Sequence, residues 1–338
     1  MNISKSKKIL IGVLLSSILL ITYLLISNDE KLLSSPNIIS KVLKIEPSYN
    51  SDLKENQVVN ILLIGNDIGR ERKSNGQTGF NTDTLILLSI NSKDKRVSLT
   101  SFPRDIWQNG GKINSILATQ GMDQLLDAIS KISGQKVTKY ISIDFDGIRW
   151  LVDAFGGVPV EINASFTDNS FPDIYDTRTT TVSFNQGNEV MSGDRALTFA
   201  RSRKGDNGEG SDLMRAKRQH QILKGMIKSV ENEKSIFFPF DIKEFYTEVI
   251  LHTETNVSLD DAIYVFSFYK NIDEYKIKSL VLDDKYIYHP ENAAPYGGAW
   301  VFVSKDFNFA TLHQDLENYL MQGVDLDSTQ TPTQPVKK

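Results

Sequence analysis

Cysteine is absent from this chain, which rules out disulfides, thiolate metal sites and a cysteine nucleophile. Histidine is scarce. The four present, His220, His252, His289 and His313, show no HxxxH or HExxH spacing, so a histidine-built zinc site is not expected. Basic excess is lacking too: 38 Lys and Arg against 42 Asp and Glu leave a net charge of −4, so any anion site must be local. No basic patch interleaved with aromatics occurs either, which argues against a nucleic-acid partner. No internal repeat is visible. What remains, 40% hydrophobic and 24% charged residues over 338 positions, is ordinary globular composition, enough for one large domain or two small ones.

One apolar run stands apart. Lys5, Lys7 and Lys8 precede an uncharged stretch from Ile9 to Ile26. As a helix its 18 residues would reach about 27 Å, near the thickness of a bilayer's hydrocarbon core. The lysines on its N-terminal side predict a cytoplasmic segment 1–8, a single-pass transmembrane anchor 9–26 and an extracytoplasmic body on the cell membrane. A cleaved signal peptide is the rival reading, but such peptides carry a shorter apolar region and a small-x-small cleavage site, neither of which is evident. A polar linker, 27–57, then spaces the body from the membrane. The polar tail 323–338, with two prolines, is expected to be disordered.

The body alternates strand and helix signals. Val58 to Gly65 is nearly all apolar and predicts a central strand buried on both faces. A loop rich in Gly, Asn and charge follows, Asn66 to Thr82. Thr84–Asn91 and Arg96–Phe102 read as a hairpin-like pair across the polar turn Ser92–Lys95. Leu125, Leu126, Ile129 and Ile132 predict a helix within Gly121–Ser133, Thr138–Phe145 a strand, Gly147–Phe155 a helix and Val158–Ile162 a further strand. Weaker signals predict a helix over Leu259–Tyr269, a strand over Lys276–Leu282 and a final helix over Phe309–Leu320. Such alternation implies an α/β fold: a mixed central β-sheet flanked by helices, in one domain over 58–322.

The stretch Ala200–Gln221, ARSRKGDNGEGSDLMRAKRQHQ, organises the rest. Arg201 and Arg203 are two positions apart, so an extended backbone would point both guanidiniums to one side. After a glycine-rich loop, Ser211 or Asp212 can cap a helix on which Arg215, Gln219, Ile222 and Met226 share a face. That face begins with two polar side chains, which are costly to bury without partners. Arginine forks converging beside a helix N-terminus suit phosphate oxygens; a solvated basic patch is the plainer alternative. Asp67, just after the first strand, and Asp83, just before the second, form a second constellation. Two hard carboxylates could hold Mg²⁺ against a phosphate, although an aspartate beside a strand more often only closes a turn. Arg104, in Pro103-Arg104-Asp105 after the third strand, would supply a further cation.

Taken in order, NILLIGND (Asn60–Asp67), TDTLILLSIN (Thr82–Asn91), SFPRD (Ser101–Asp105), KIN (Lys112–Asn114), FGGVPVEI (Phe155–Ile162), SGDRALTFARSR (Ser192–Arg203) and DLMRAKRQ (Asp212–Gln219) resemble the LytR-CpsA-Psr family. The segment Thr255–Phe266 resembles the part that completes its domain. The resemblance implies membrane-anchored transferases that move a glycopolymer from an undecaprenyl-pyrophosphate carrier to peptidoglycan. It implies that Asp67 and Asp83 coordinate Mg²⁺, that Arg104, Arg201 and Arg203 grip phosphate oxygens, and that Arg215, Arg218 and Gln219 complete the site, with Lys112 a further addition. One departure stands out: the family commonly has an arginine two positions before the second aspartate, where this chain has Asn81. Arg70, Arg72 or Lys73 could substitute. A prenyl tail needs an apolar slot, for which Leu125, Leu126, Ile129, Ile148, Leu151 and Phe155 are candidates beside their ordinary role as core. Two other functions stay open on the sequence: a non-catalytic regulator or sensor that binds lipid pyrophosphates, and a lipid-pyrophosphate hydrolase.

Overall fold

The computed structural model describes residues 51–66, 82–172, 178–232, 246, 249–269 and 274–324. All of them belong to one unit that begins at Ser51. The anchor 9–26, the cytoplasmic segment, most of the linker, the tail beyond residue 324, and Asp67, Arg70, Arg72, Lys73 and Asn81 lie outside the described residues. Among the described residues no helix is long and apolar enough to cross a membrane.

In chain order the strands are β1 (Val59–Asn66), β2 (Thr82–Asn91), β3 (Arg96–Ser101), β4 (Trp107–Gln108) and β5 (Gly111–Lys112). Helices α1 (Ile113–Gln120) and α2 (Met122–Ser133), strand β6 (Lys139–Ile143) and helix α3 (Phe145–Ala154) follow. Next come β7 (Val158–Ile162), β8 (Phe166–Pro172), β9 (Thr179–Phe184) and β10 (Gly187–Met191), then α4 (Gly193–Arg201) and α5 (Asp212–Asn232). Strand β11 (Thr253–Thr255), α6 (Leu259–Tyr269), β12 (Lys276–Val281), β13 (Ile287–Tyr288), β14 (Val303–Ser304) and α7 (Ala310–Glu317) complete the order.

Six strands form one mixed sheet in the order β11-β6-β1-β2-β3-β12. The pairs β1–β2, β2–β3 and β6–β11 are antiparallel, while β1–β6 and β3–β12 are parallel. The apolar run of β1 is central and splits its residues between two cores, as a strand period of two requires. Leu62 and Ile64 join Leu85 and Leu87 of β2 against Leu125, Ile129 and Ile132 of α2 and Leu312 and Leu316 of α7. Val59 and Ile61 turn to the other face with Ile90 and Val97, where Tyr264, Val265 and Phe268 of α6 pack. A third core joins α3, β7, β8, β9, β10 and α4 to Ile222 and Met226 of α5. Gly225 lets α5 cross β7 closely: a Cβ there would stand 2.3 Å from the Pro159 carbonyl.

Four of the six candidate slot residues divide between two cores, and Leu151 and Phe155 are half-buried. Leu125, Leu126 and Ile129 are sealed in the first, with Leu125 and Ile129 at 0% exposure, while Ile148 packs against the third. They do not line one slot, because the stripe of α2 is consumed by packing on β1 and β2. The more open apolar surface is on the second face, where Leu63, Leu88, Ile141 and Ile277 are only partly buried.

Candidate active site at one end of the sheet

Strand directions bring the chemistry together. The C-terminal ends of β1, β3 and β6 and the N-terminal end of β2 meet at one edge, since Gly65 pairs with both Thr84 and Ile143, and Ser101 with Ile86. The approach of β1 and β2 there is tight: a Cβ on Gly65 would lie 2.9 Å from Thr84 Cβ. Beyond β3 the segment Pro103–Asp105 crosses this edge, and Phe145 opens α3 at the end of β6.

Asp83 is the hub. Arg104 NH1 donates to Asp83 Oδ1 at 2.7 Å, and Arg215 NH2 donates to the Asp83 backbone carbonyl at 3.4 Å. Gln219 Nε2 donates to Thr84 Oγ1 at 2.8 Å, so the polar face of α5 is docked on the start of β2. Ser211 Oγ accepts from Met214 N and caps that helix. Asp212 in its first turn is shared by two arginines, with Arg203 Nε at 3.0 Å and Arg215 NH2 at 3.4 Å. Asp105 accepts from Lys112 Nζ at 2.7 Å and stands 3.7 Å from Arg104 Nε. That Nε is buried and has no hydrogen-bond acceptor among the described residues.

The electrostatics of the arginines differ. Burial works against the charge of Arg104, but its bond to Asp83 and the fields of Asp83, Asp105 and Asp212 outweigh it and raise its pKa. Arg215 is 8% exposed, and burial, aided by the neighbouring charges of Arg203 and Arg104, lowers its pKa against the pull of Asp212 and Asp83. A buried guanidinium beside two other guanidiniums, sharing its nearest carboxylate with one of them, is short of negative charge. An anion entering here would meet Arg104, Arg203 and Arg215 together.

Two sequence expectations change. Arg201 and Arg203 do not extend side by side, because Arg201 is the last residue of α4 and only Ser202 turns to extended backbone. Arg201 lies over Phe145 at 4.5 Å and Phe171 at 5.4 Å, at the β6 end of the same edge, whereas Arg203 turns to Asp212. Arg218 is not brought to the cluster. It is 1% exposed, and its guanidinium donates to the carbonyls of Phe199, Glu209 and Ser202 and to Glu209 Oε2 at 2.7 Å. Those bonds use four of its five N–H donors to stitch α5 to the end of α4 and to the glycine-rich loop, a packing task carried out away from solvent.

Sequence reasoning missed Asp168 of β8. Its buried carboxylate accepts from Ser202 Oγ (2.7 Å), Arg203 N (3.2 Å), Lys204 N (3.0 Å) and Ser170 N (2.9 Å). Burial opposes its charge, but these four bonds prevail and hold its pKa below the ordinary value. Asp168 thus lays down the loop that presents Arg203. Little in the local sequence marks it: apart from Ser170, its partners Ser202, Arg203 and Lys204 lie 34 to 36 positions away.

For a hard divalent cation the described edge offers Asp83 and, beside it on β1, Asn66, whose Oδ1 is buried and without a partner among the described residues. These are oxygen donors of the type magnesium prefers, and Asp67 follows Asn66 directly in the chain. No group of three or more His, Cys, Asp or Glu poised for a metal occurs among the described residues. A cation here would complete its shell with water or with oxygens of a bound phosphate.

The LytR_cpsA_psr family model matches residues 23–316. A polyisoprenyl-teichoic acid--peptidoglycan teichoic acid transferase TagU from Halalkalibacterium halodurans is 32% identical over 237 residues, covering 67% of this chain and 71% of that protein. TagU of Bacillus mycoides is 28% identical over 243 residues, 69% of this chain and 73% of its own. Among solved structures, TagV of B. subtilis superposes with a TM-score of 0.58 at 23% identity, covering 78% of this chain and 97% of that one. TagT bound to LIIa-WTA superposes with a TM-score of 0.57 at 23% identity, over 80% and 92%. At these identities the superpositions show a shared fold.

Proposed function

The chain belongs to the LytR-CpsA-Psr family, and from that premise we propose that it is a cell-wall phosphotransferase. It moves a glycopolymer from a polyisoprenyl-pyrophosphate carrier to a sugar hydroxyl of peptidoglycan. The observation that carries this reading is the under-compensated Arg215, sealed at 8% exposure between Asp83 and Asp212 with Arg104 and Arg203 alongside. The named activity of the curated relatives supplies the substrate class.

In this reading the pyrophosphate enters the cluster and takes Arg104, Arg203 and Arg215 as partners, so Arg104 exchanges its bond to Asp83 for one to a phosphate oxygen. Lys112 steadies Asp105 beside Arg104, and Gln219 holds the helix in place. The acceptor hydroxyl attacks the phosphorus that bears the polymer. A new phosphorus–oxygen bond forms, the bridging bond breaks, and prenyl phosphate leaves. Asp83, released from Arg104, is placed to take the hydroxyl proton. Magnesium held by Asp67 and Asp83 would supply further charge neutralisation at the pyrophosphate, the main demand of phosphoryl transfer. The prenyl tail is assigned to the partly open face bearing Leu63, Leu88, Ile141 and Ile277. The run 9–26 anchors the chain in the cell membrane with the body outside, where peptidoglycan is.

The test is polymer transfer to a peptidoglycan oligosaccharide at varied Mg²⁺, with lipid binding measured alongside. Asp83→Asn should abolish turnover yet retain the lipid, because the arginines remain and the nearest negative charge is gone. Wild-type turnover in that variant, or transfer indifferent to Mg²⁺, refutes the assignment of Asp83. A product formed without acceptor would instead identify a hydrolase.

A further inference from the structure

Beside the arginine cluster the chain builds an aromatic surface that phosphate chemistry does not use. Trp107 of β4 stands directly opposite Lys112 of β5, whose ammonium holds Asp105. Its ring meets Tyr296 edge to face, with centroids 5.4 Å apart. Trp107 N donates to the Phe302 carbonyl at 2.8 Å, and Phe302 N donates to that of Asp105 at 2.9 Å, which lays the segment around Phe302 against Arg104–Trp107. Phe302 meets Trp300 edge to face at 4.7 Å, and Trp300 stacks on His289 at 5.0 Å and 26°. His289 is itself fixed, since Nδ1 donates to the Val301 carbonyl at 2.9 Å. Trp300 nonetheless remains 51% exposed, a large apolar ring braced by two neighbours yet turned to solvent.

Charge says which occupant fits. Across 283–306, Asp283, Asp284, Glu291 and Asp306 oppose only Lys285 and Lys305, a net charge of −2. A polyanionic chain is repelled there, whereas a neutral sugar is not. A pyranose ring presents C–H groups on its face and hydroxyls at its rim, so it can cover an indole while its hydroxyls stay hydrated. Rings held in advance lose little entropy on binding. A chain of contacts links Asp83 through Arg104, Asp105 and Lys112 to the strand pair that carries Trp107.

We propose that Trp107, Tyr296, Trp300 and His289 form a stacking platform for the acceptor glycan, a neutral chain of N-acetylated pyranose rings, and lead its hydroxyl to Asp83. The proposal rests on the transferase reading above.

The experiment uses the full chain in detergent and a soluble oligosaccharide of alternating N-acetylhexosamines. Two of the 3 tryptophans, Trp107 and Trp300, belong to the platform, so intrinsic fluorescence reports binding directly. Trp300→Ala should weaken oligosaccharide binding and raise the acceptor KM by about tenfold, as truncation of an aromatic anchor at a binding surface does. Affinity for the lipid pyrophosphate should not change, and Trp300→Phe should restore most of the loss. If Trp300→Ala folds poorly, Tyr296→Ala carries the same expectation. Wild-type acceptor KM in both alanine variants overturns the platform while leaving the transferase reading intact. A rise confined to the donor KM overturns it too, by assigning the rings to the carried polymer. Trp300-dependent oligosaccharide binding in a protein that transfers nothing sustains the platform and removes the transferase reading.

Discussion

Arg218 and Arg203 are fifteen positions apart and both belong to the basic stretch, yet alanine should affect them in opposite ways. Arg218→Ala deletes a side chain at 1% exposure and leaves Glu209, whose side chain is 11% exposed, as an unpaired buried carboxylate. Breaking a buried pair from one side costs about 3–5 kcal/mol. In a domain of this size that corresponds to a fall in Tm on the order of 10 °C. The loss of stability should precede any specific loss of affinity, because the guanidinium points at carbonyls and at two phenyl rings, Phe166 at 4.9 Å and Phe199 at 5.8 Å. Arg203, with 43% of its side chain exposed, forms its ion pair with the half-exposed Asp212. Its removal should stay within about 0.5 kcal/mol in stability. Affinity for the lipid pyrophosphate should nevertheless drop roughly ten- to a hundredfold, the worth of one charge-assisted contact. Calorimetry and lipid titration on both variants decide the matter. Wild-type stability with lost binding in Arg218→Ala would refute the structural assignment of that residue.

Asp168→Asn keeps shape but removes the charge that holds Ser202, Arg203 and Lys204, so it should cost roughly 2–4 kcal/mol and weaken lipid binding through Arg203; binding intact at temperatures where the variant is folded would deny the positioning role. His220 is buried, with Nε2 2.8 Å from Ser101 Oγ, and burial, reinforced by Lys224, lowers its pKa from 6.5 to about 4. The folded state therefore resists protonation: stability is full above the unfolded value and declines as pH falls from 6.5 to about 4, by about 3 kcal/mol in all. His220→Gln should flatten that slope in urea titrations, and an unchanged slope would assign it to other groups. For the anchor, protease added to intact cells should remove the body and leave a small membrane stub; protection of the body would reverse the topology.

Much of the fold was legible before any tertiary contact. Val59–Asn66 forms the central strand because its apolar run can be satisfied only with both faces covered, and α2 follows Leu125, Leu126, Ile129 and Ile132 at helical spacing. The pair β1–β2 together with β3 was less plain: residues 84–102 read as a hairpin, and the structure bears that out over Ile86–Asn91 against Arg96–Ser101. Helix α4 and the β8–β9 pair went unread. SGDRALTFAR is short and polar on average, so its apolar positions did not stand out, and β9 (TTTVSF) is exposed over most of its length.

What the sequence by itself determined is the inventory: no thiol chemistry, no zinc-type histidine spacing, one membrane-length run, and arginines and aspartates in an ordered set of motifs that identifies the family. Those are properties of composition and local order, and folding cannot change them. Which arginine faces a ligand was a different kind of question. Arg215 and Arg218 lie three positions apart on one helix, yet one borders Asp83 while the other is closed inside by Glu209 and three carbonyls. Likewise Asp168 joins Arg203 across thirty-five positions, and Trp300 reaches the neighbourhood of Asp105 only through the Phe302 backbone. A side chain's role depends on what desolvates and pairs it, and for these residues every such partner comes from a distant segment that only the tertiary fold delivers.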